Sequence, residues 1–143
     1  MSKAAIIYWS GTGNTEAMAM AVLEGVRGSG EEGELFAVSE ISASKAQEYD
    51  ILFLGCPAMG AEVLEESEFE PFFSDLEGSL SGKKVGLFGS YGWGDGEWMR
   101  DWEKRVLDAG ATLIGGDGLI VNETPDEEGL ASCRRLGETA ATL

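Results

Sequence analysis

Residues 4–16 read Ala-Ala-Ile-Ile-Tyr-Trp-Ser-Gly-Thr-Gly-Asn-Thr-Glu. An apolar run runs straight into a loop of small and hydroxylic residues, and a helical pattern follows. Ala4–Trp9 has the continuous hydrophobicity of a strand buried on both faces. From Thr12 or Gly13 the pattern changes, with Met18, Ala21, Val22, Gly25 and Val26 on one helical stripe to about Arg27. Between them, Ser10, Gly11, Thr12, Gly13, Asn14 and Thr15 include no lysine or arginine. Such a loop can wrap a phosphate with backbone N–H groups, hydroxyls and a helix N-terminus in place of a cation. A nucleotide-hydrolysing loop needs Gly-x-x-x-x-Gly-Lys-Ser/Thr, and the lysine is missing. A dinucleotide fingerprint needs a third glycine where Glu16 stands. What remains is a loop suited to one terminal phosphate, such as that of a mononucleotide, or a glycine-rich turn without a ligand.

Working outward, strand and helix patterns alternate. Glu34–Val38 reads as a weaker strand, Ile51–Gly55 as a buried one and Val85–Ser90 as a fourth. Thr112–Ile114 and Leu119–Val121 read as one edge strand broken by Gly115-Gly116-Asp117-Gly118. Helices are expected from the caps Ser42 and Ser44 to near Glu48, over Glu68–Leu76, from Asp95 as cap to Ala109, and from Pro125 or Asp126 to the end. This alternation predicts an α/β fold, a five-stranded parallel sheet with helices on both faces. The length of 143 residues fits a single domain spanning residues 1–143.

Composition narrows the function. A formal charge of −16 disfavours nucleic acid, whose backbone is held by positive patches. No signal-like segment or membrane-length apolar run is present, so the reading is a soluble, cytoplasmic protein without a membrane partner. Cys56 and Cys133 form no Cys-x-x-Cys and there is no histidine, so a Cys/His zinc site is excluded and the expectation is two reduced, buried thiols. Stretch 47–82 has no lysine or arginine but nine carboxylates, among them Glu62, Glu65, Glu66 and Glu68.

In parallel sheets ligands sit at the carboxyl ends of the strands. Two further segments fall there. Pro57-Ala58-Met59-Gly60-Ala61-Glu62 offers a polarisable thioether, a permissive glycine and an acceptor. Ser90-Tyr91-Gly92-Trp93-Gly94-Asp95-Gly96-Glu97-Trp98 alternates glycines with aromatics. An aromatic held between glycines is well placed to lie on a flat ligand, which suits Trp93. Trp98 either joins that site or plugs the end of the sheet.

The segments 8–16, 58–60, 62–72 and 82–96 together resemble flavodoxins of the short-chain type, in order and spacing and over essentially the whole chain. The resemblance implies the strand order 2-1-3-4-5, a known property of that fold that is carried over with it. It implies FMN bound tightly without a covalent bond, in a one-electron carrier cycling mainly between semiquinone and hydroquinone in place of ferredoxin. Ser10, Gly11, Thr12, Gly13, Asn14 and Thr15 would hold the phosphate, with Ser90 nearby. Met59 and Trp93 would sandwich the ring, and Glu62 would meet its N3 proton. The Gly60 carbonyl would turn toward N5 on one-electron reduction. Pro57, Ala58, Ala61, Tyr91, Gly92 and Gly94 complete the implied pocket. Partners would be ferredoxin or flavodoxin reductases and oxidoreductases with basic docking surfaces, met by a monomer. Close members of that family carry Asp where this chain has Ala61 and Ser where it has Pro57; both differences bear on potential and affinity. A phospho-receiver domain of the same architecture would need acidic residues where Trp9-Ser10 and Cys56-Pro57 stand. A quinone reductase of that fold would need a substrate pocket over the flavin, for which no insertion is evident.

Overall fold

The computed structural model describes residues 3–11, 13–59, 63–92 and 94–142. Thr12, Gly60, Ala61, Glu62 and Trp93 therefore lie outside the described residues. In chain order the elements are β1 (Lys3–Tyr8), α1 (Asn14–Gly28), β2 (Glu32–Ala37), α2 (Ala43–Ala46), β3 (Ile51–Gly55), α3 (Phe69–Glu77), β4 (Lys84–Tyr91), α4 (Glu97–Asp108), β5 (Thr112–Leu113), β6 (Leu119–Asn122) and α5 (Glu127–Glu138).

The strands form one parallel sheet in the order β2-β1-β3-β4-β5, with β6 also on β4. The expected order is therefore found. The expected break in the outer strand is found too: β5 pairs with Lys84 and Val85, and β6 with Phe88 to Tyr91. Side chains alternate between two cores, as a pleated strand requires. Ala5, Ile7, Leu52, Leu54, Val85 and Leu87 face the core shared with α3 and α4. Ala4, Ile6, Ile51, Phe53 and Phe88 face the core beneath α1 and α5. The core strands are apolar on both faces because helices cover both.

Local chemistry sets the helix limits. Gly13, with φ 96°, precedes α1, a left-handed position that glycine takes at little cost. Ser42 and Asp126 cap α2 and α5 by accepting the N–H groups of Lys45 and Gly129. Asp95 is not the cap of α4. Gly96, with φ 92°, holds that position, and the Asp95 carboxylate instead receives Arg100 Nη2 at 3.0 Å. Strand β2 begins at Glu32, two residues before the expected start, because pairing with Lys3 and Ala4 recruits the polar Glu32-Gly33 into the ladder. On the α3/α4 side Arg105 makes paired hydrogen bonds to Glu70 (2.7 and 2.8 Å) and to Glu77 (both 3.1 Å), with its guanidinium 4.8 Å from the centroid of the Phe73 ring. Part of the acidic run is thus paired at the half-buried seam that clamps α3 to α4, and its contribution to a negative rim is smaller than the sequence suggests.

Candidate functional site: a cavity at the strand carboxyl ends

Strands β1, β3 and β4 deliver three loops to one end of the sheet. A cavity of about 460 Å³ opens between them. Gly11 and Asn14 line it from the first loop, Pro57, Ala58 and Met59 from the second, and Ser90, Tyr91 and Gly92 from the third. The sequence therefore named three loops that do meet. The sheet continues into this end: Cys56 N–H donates to Phe88 O at 3.1 Å and Ala58 N–H to Ser90 O at 3.0 Å. The two loop starts are held in register by backbone bonds.

Ser10 and Gly13 border a second cavity of about 450 Å³, on the β2 side, with Tyr8, Glu16, Ser39 and Glu68. Trp9 and Gly11 line both cavities. The Trp9 indole is held by its N–H donating to Glu68 Oε1 at 3.1 Å. Tyr8 donates its hydroxyl to Glu16 Oε2 at 2.9 Å; burial, that bond and the charges of Glu16 and Glu40 push its pKa up to about 12.

The first loop has the features of an anion cradle. Ser10 Oγ accepts the Gly13 N–H at 3.0 Å and fixes the turn. Ala17 N–H donates to Gly13 O at 3.0 Å, the first turn of α1, so the amides of residues 14–16 precede any helical acceptor. Thr15 is 1% exposed, and its hydroxyl has no hydrogen-bond partner among the described residues. Leaving such a group unpaired costs about 1–3 kcal/mol. A phosphate at this helix N-terminus would supply the missing acceptor, so the residues present fit a phosphorylated ligand.

Other expected residues fall differently. Ser90 is buried, and its hydroxyl donates to Glu123 O at 2.7 Å, so that proton is already committed. Trp98 is core: it is 1% exposed and its indole N–H donates to Cys56 O at 3.1 Å. Gly94 takes a positive φ of 89° in the third loop. Cys56 and Cys133 are free and buried, and burial raises both thiol pKa values.

Three residues that line the three-loop cavity were not anticipated: Trp9, Glu123 and Thr124. The last two follow β6, which also ends on this side of the sheet. Applying the strand-end rule to the broken edge strand would have found them. Glu123 has φ 57°, a strained position for a residue with a Cβ, and its N–H donates to Tyr91 O at 2.7 Å.

The flavodoxin family model matches residues 6–137. The chain is 53% identical over 136 residues to a flavodoxin of Megasphaera elsdenii, covering 95% of this chain and 96% of that one. It is 49% identical over 138 residues to a flavodoxin of Clostridium beijerinckii, covering 96% and 99%. The solution structure of two-electron reduced Megasphaera elsdenii flavodoxin superposes with a TM-score of 0.89 at 51% identity, covering 98% of this chain and 99% of the other. Flavodoxins bind FMN and pass electrons to redox enzymes; they are not themselves enzymes. With sequence, strand order and a phosphate-ready loop in agreement, this chain belongs to the flavodoxin family and is a small FMN-binding electron carrier.

Proposed function

We propose that the protein is a low-potential one-electron carrier that works mainly between the flavin semiquinone and hydroquinone, in the role ferredoxin fills elsewhere. The observation that carries this reading is the cation-free loop before α1, whose Gly11 and Asn14 line the three-loop cavity and whose Thr15 hydroxyl is buried without a partner among the described residues. In this reading Ser10, Gly11, Thr12, Gly13, Asn14 and Thr15 hold the phosphate. Pro57, Ala58, Met59, Gly60, Ala61 and Glu62 form one wall of the ring pocket. Ser90, Tyr91, Gly92, Trp93 and Gly94 form the other. The flavin, when bound, supplies the electron chemistry, and the protein supplies orientation and field.

The field follows from the residues. With no lysine or arginine in the loop, the phosphate charge is not neutralised by a side chain. Glu66, Glu68, Glu97 and Glu123 are exposed and add negative charge near the strand ends. One unit charge about 10 Å away, at an effective dielectric near 20, is worth roughly 1.7 kcal/mol before screening. For one electron about 1.4 kcal/mol corresponds to about 59 mV. A few such charges, with apolar walls that disfavour a buried anion, lower the second reduction step. Stepwise anaerobic reduction of the purified protein, followed by absorption, is expected to show a blue neutral intermediate at the midpoint. A colourless preparation, or direct two-electron bleaching, would reject the reading.

The same charges support docking on basic surfaces of reductases and oxidoreductases. Electron transfer to a basic partner is expected to slow several-fold between about 20 mM and 300 mM salt. A flat profile in stopped-flow measurements would remove the steering role. Two buried, free cysteines suit the reducing cytoplasm, where we place the protein as a monomer.

A further inference from the structure

Among the described residues, Glu65 is a carboxylate buried without a cation partner. It is 5% exposed and lies between the second loop and α3. Its oxygens accept the N–H groups of Ser67 and Glu68, each at 2.8 Å, of Phe69 at 2.9 Å, and the Ser67 hydroxyl. Burial would raise its pKa, but these donors outweigh that and hold it below the ordinary carboxylate value. The N-cap of α3, Glu68, offers no side-chain cap. The Glu65 carboxylate does that work from three residues upstream.

The backbone of Glu65 faces the other way. Its N–H donates to Cys56 Sγ at 3.4 Å. Cys56 is fixed to β4 by its own N–H on Phe88 O, and to α4 by the Trp98 indole on its carbonyl. Between these two residues, Met59 and Val63 exchange hydrogen bonds of 3.0 and 3.3 Å. The chain leaves the side of β4 after Ala58, and Glu65 ties it back to the Cys56 sulfur. Two rungs close this excursion, which carries Met59 of the ring-pocket wall.

We propose that Glu65 is a positioning residue for the flavin-facing excursion. Its carboxylate anchors the outgoing end to α3, and its amide anchors the same end to the sulfur of Cys56. Together they set where Met59 and Val63 stand. Glu65 lines neither strand-end cavity, so it acts through the loop. The inference rests on the FMN reading above.

Two variants test it. Glu65→Gln keeps the shape but turns one acceptor into an NH₂ that faces amide donors. Cys56→Ala removes the sulfur acceptor and leaves the carboxylate intact. Each is compared with the parent for apoprotein stability in urea, FMN dissociation constant and the potentials of the two reduction steps. A helix cap alone would lower stability and leave the potentials unmoved. The expected result is that both variants change the ratio of affinities for oxidised and reduced FMN by threefold or more, about 28 mV at about 59 mV per tenfold. Unchanged potentials in variants that still bind FMN would overturn the positioning role while leaving the functional reading intact. If Glu65→Gln does not fold, Cys56→Ala decides alone. A parent protein that binds no FMN would overturn the functional reading itself.

Discussion

Gly89→Ala is expected to destabilise the protein by about 3 kcal/mol and to weaken its hold on FMN. A Cβ built on Gly89 would lie 2.2 Å from the Cys56 carbonyl oxygen and 3.1 Å from Trp98 Cζ2. Neither neighbour can step aside. The carbonyl is fixed by the Trp98 indole, and Cys56 is fixed to Phe88 by a backbone bond. The added methyl must therefore part β3 from β4 where both enter the site. At this chain length the loss corresponds to about 10 °C in Tm. Urea unfolding of the apoprotein and an FMN titration check the two halves. Parent-like stability would mean that the strands separate there without resistance.

The second large effect separates FMN from riboflavin. Several hydrogen bonds to a charged phosphate, each worth about 1.5–3 kcal/mol, give a discrimination of about 4 kcal/mol, or about 1000-fold in Kd. Thr15→Val isolates one such bond. Among the described residues that hydroxyl is buried without a partner, so a methyl of the same shape is expected to leave apoprotein stability equal or higher. FMN affinity is expected to fall about tenfold or more, and riboflavin affinity to stay unchanged. The opposite signs distinguish a ligand-binding hydroxyl from a merely buried one. Equal affinity of the parent for FMN and riboflavin, by equilibrium titration, would reject the phosphate site.

The central strands could be read from sequence because their burial on both faces leaves an unbroken apolar run; Ile51–Gly55 has the same bounds in both. The three loops were legible because their glycines, hydroxyls and aromatics interrupt those runs at strand ends. What escaped was decided by distant partners. Glu32 enters β2 only because β1 is beside it. Trp9 is oriented by a residue 59 positions away, and Ser90 is committed to a carbonyl 33 positions away. Trp98 could serve core or site in a one-dimensional reading, and the Cys56 carbonyl decides for the core. Asp95 had the composition of a cap, yet a glycine one residue later took the turn.

The interrupted outer strand has a consequence for company. β5 and β6 span only two and four residues at that margin, and the segment between them has left-handed turns at Gly115 and Gly116. So short and broken a margin is a poor template for adding a strand from another molecule. Crowded copies are thereby discouraged from pairing through this margin, which would remove a shuttle from circulation.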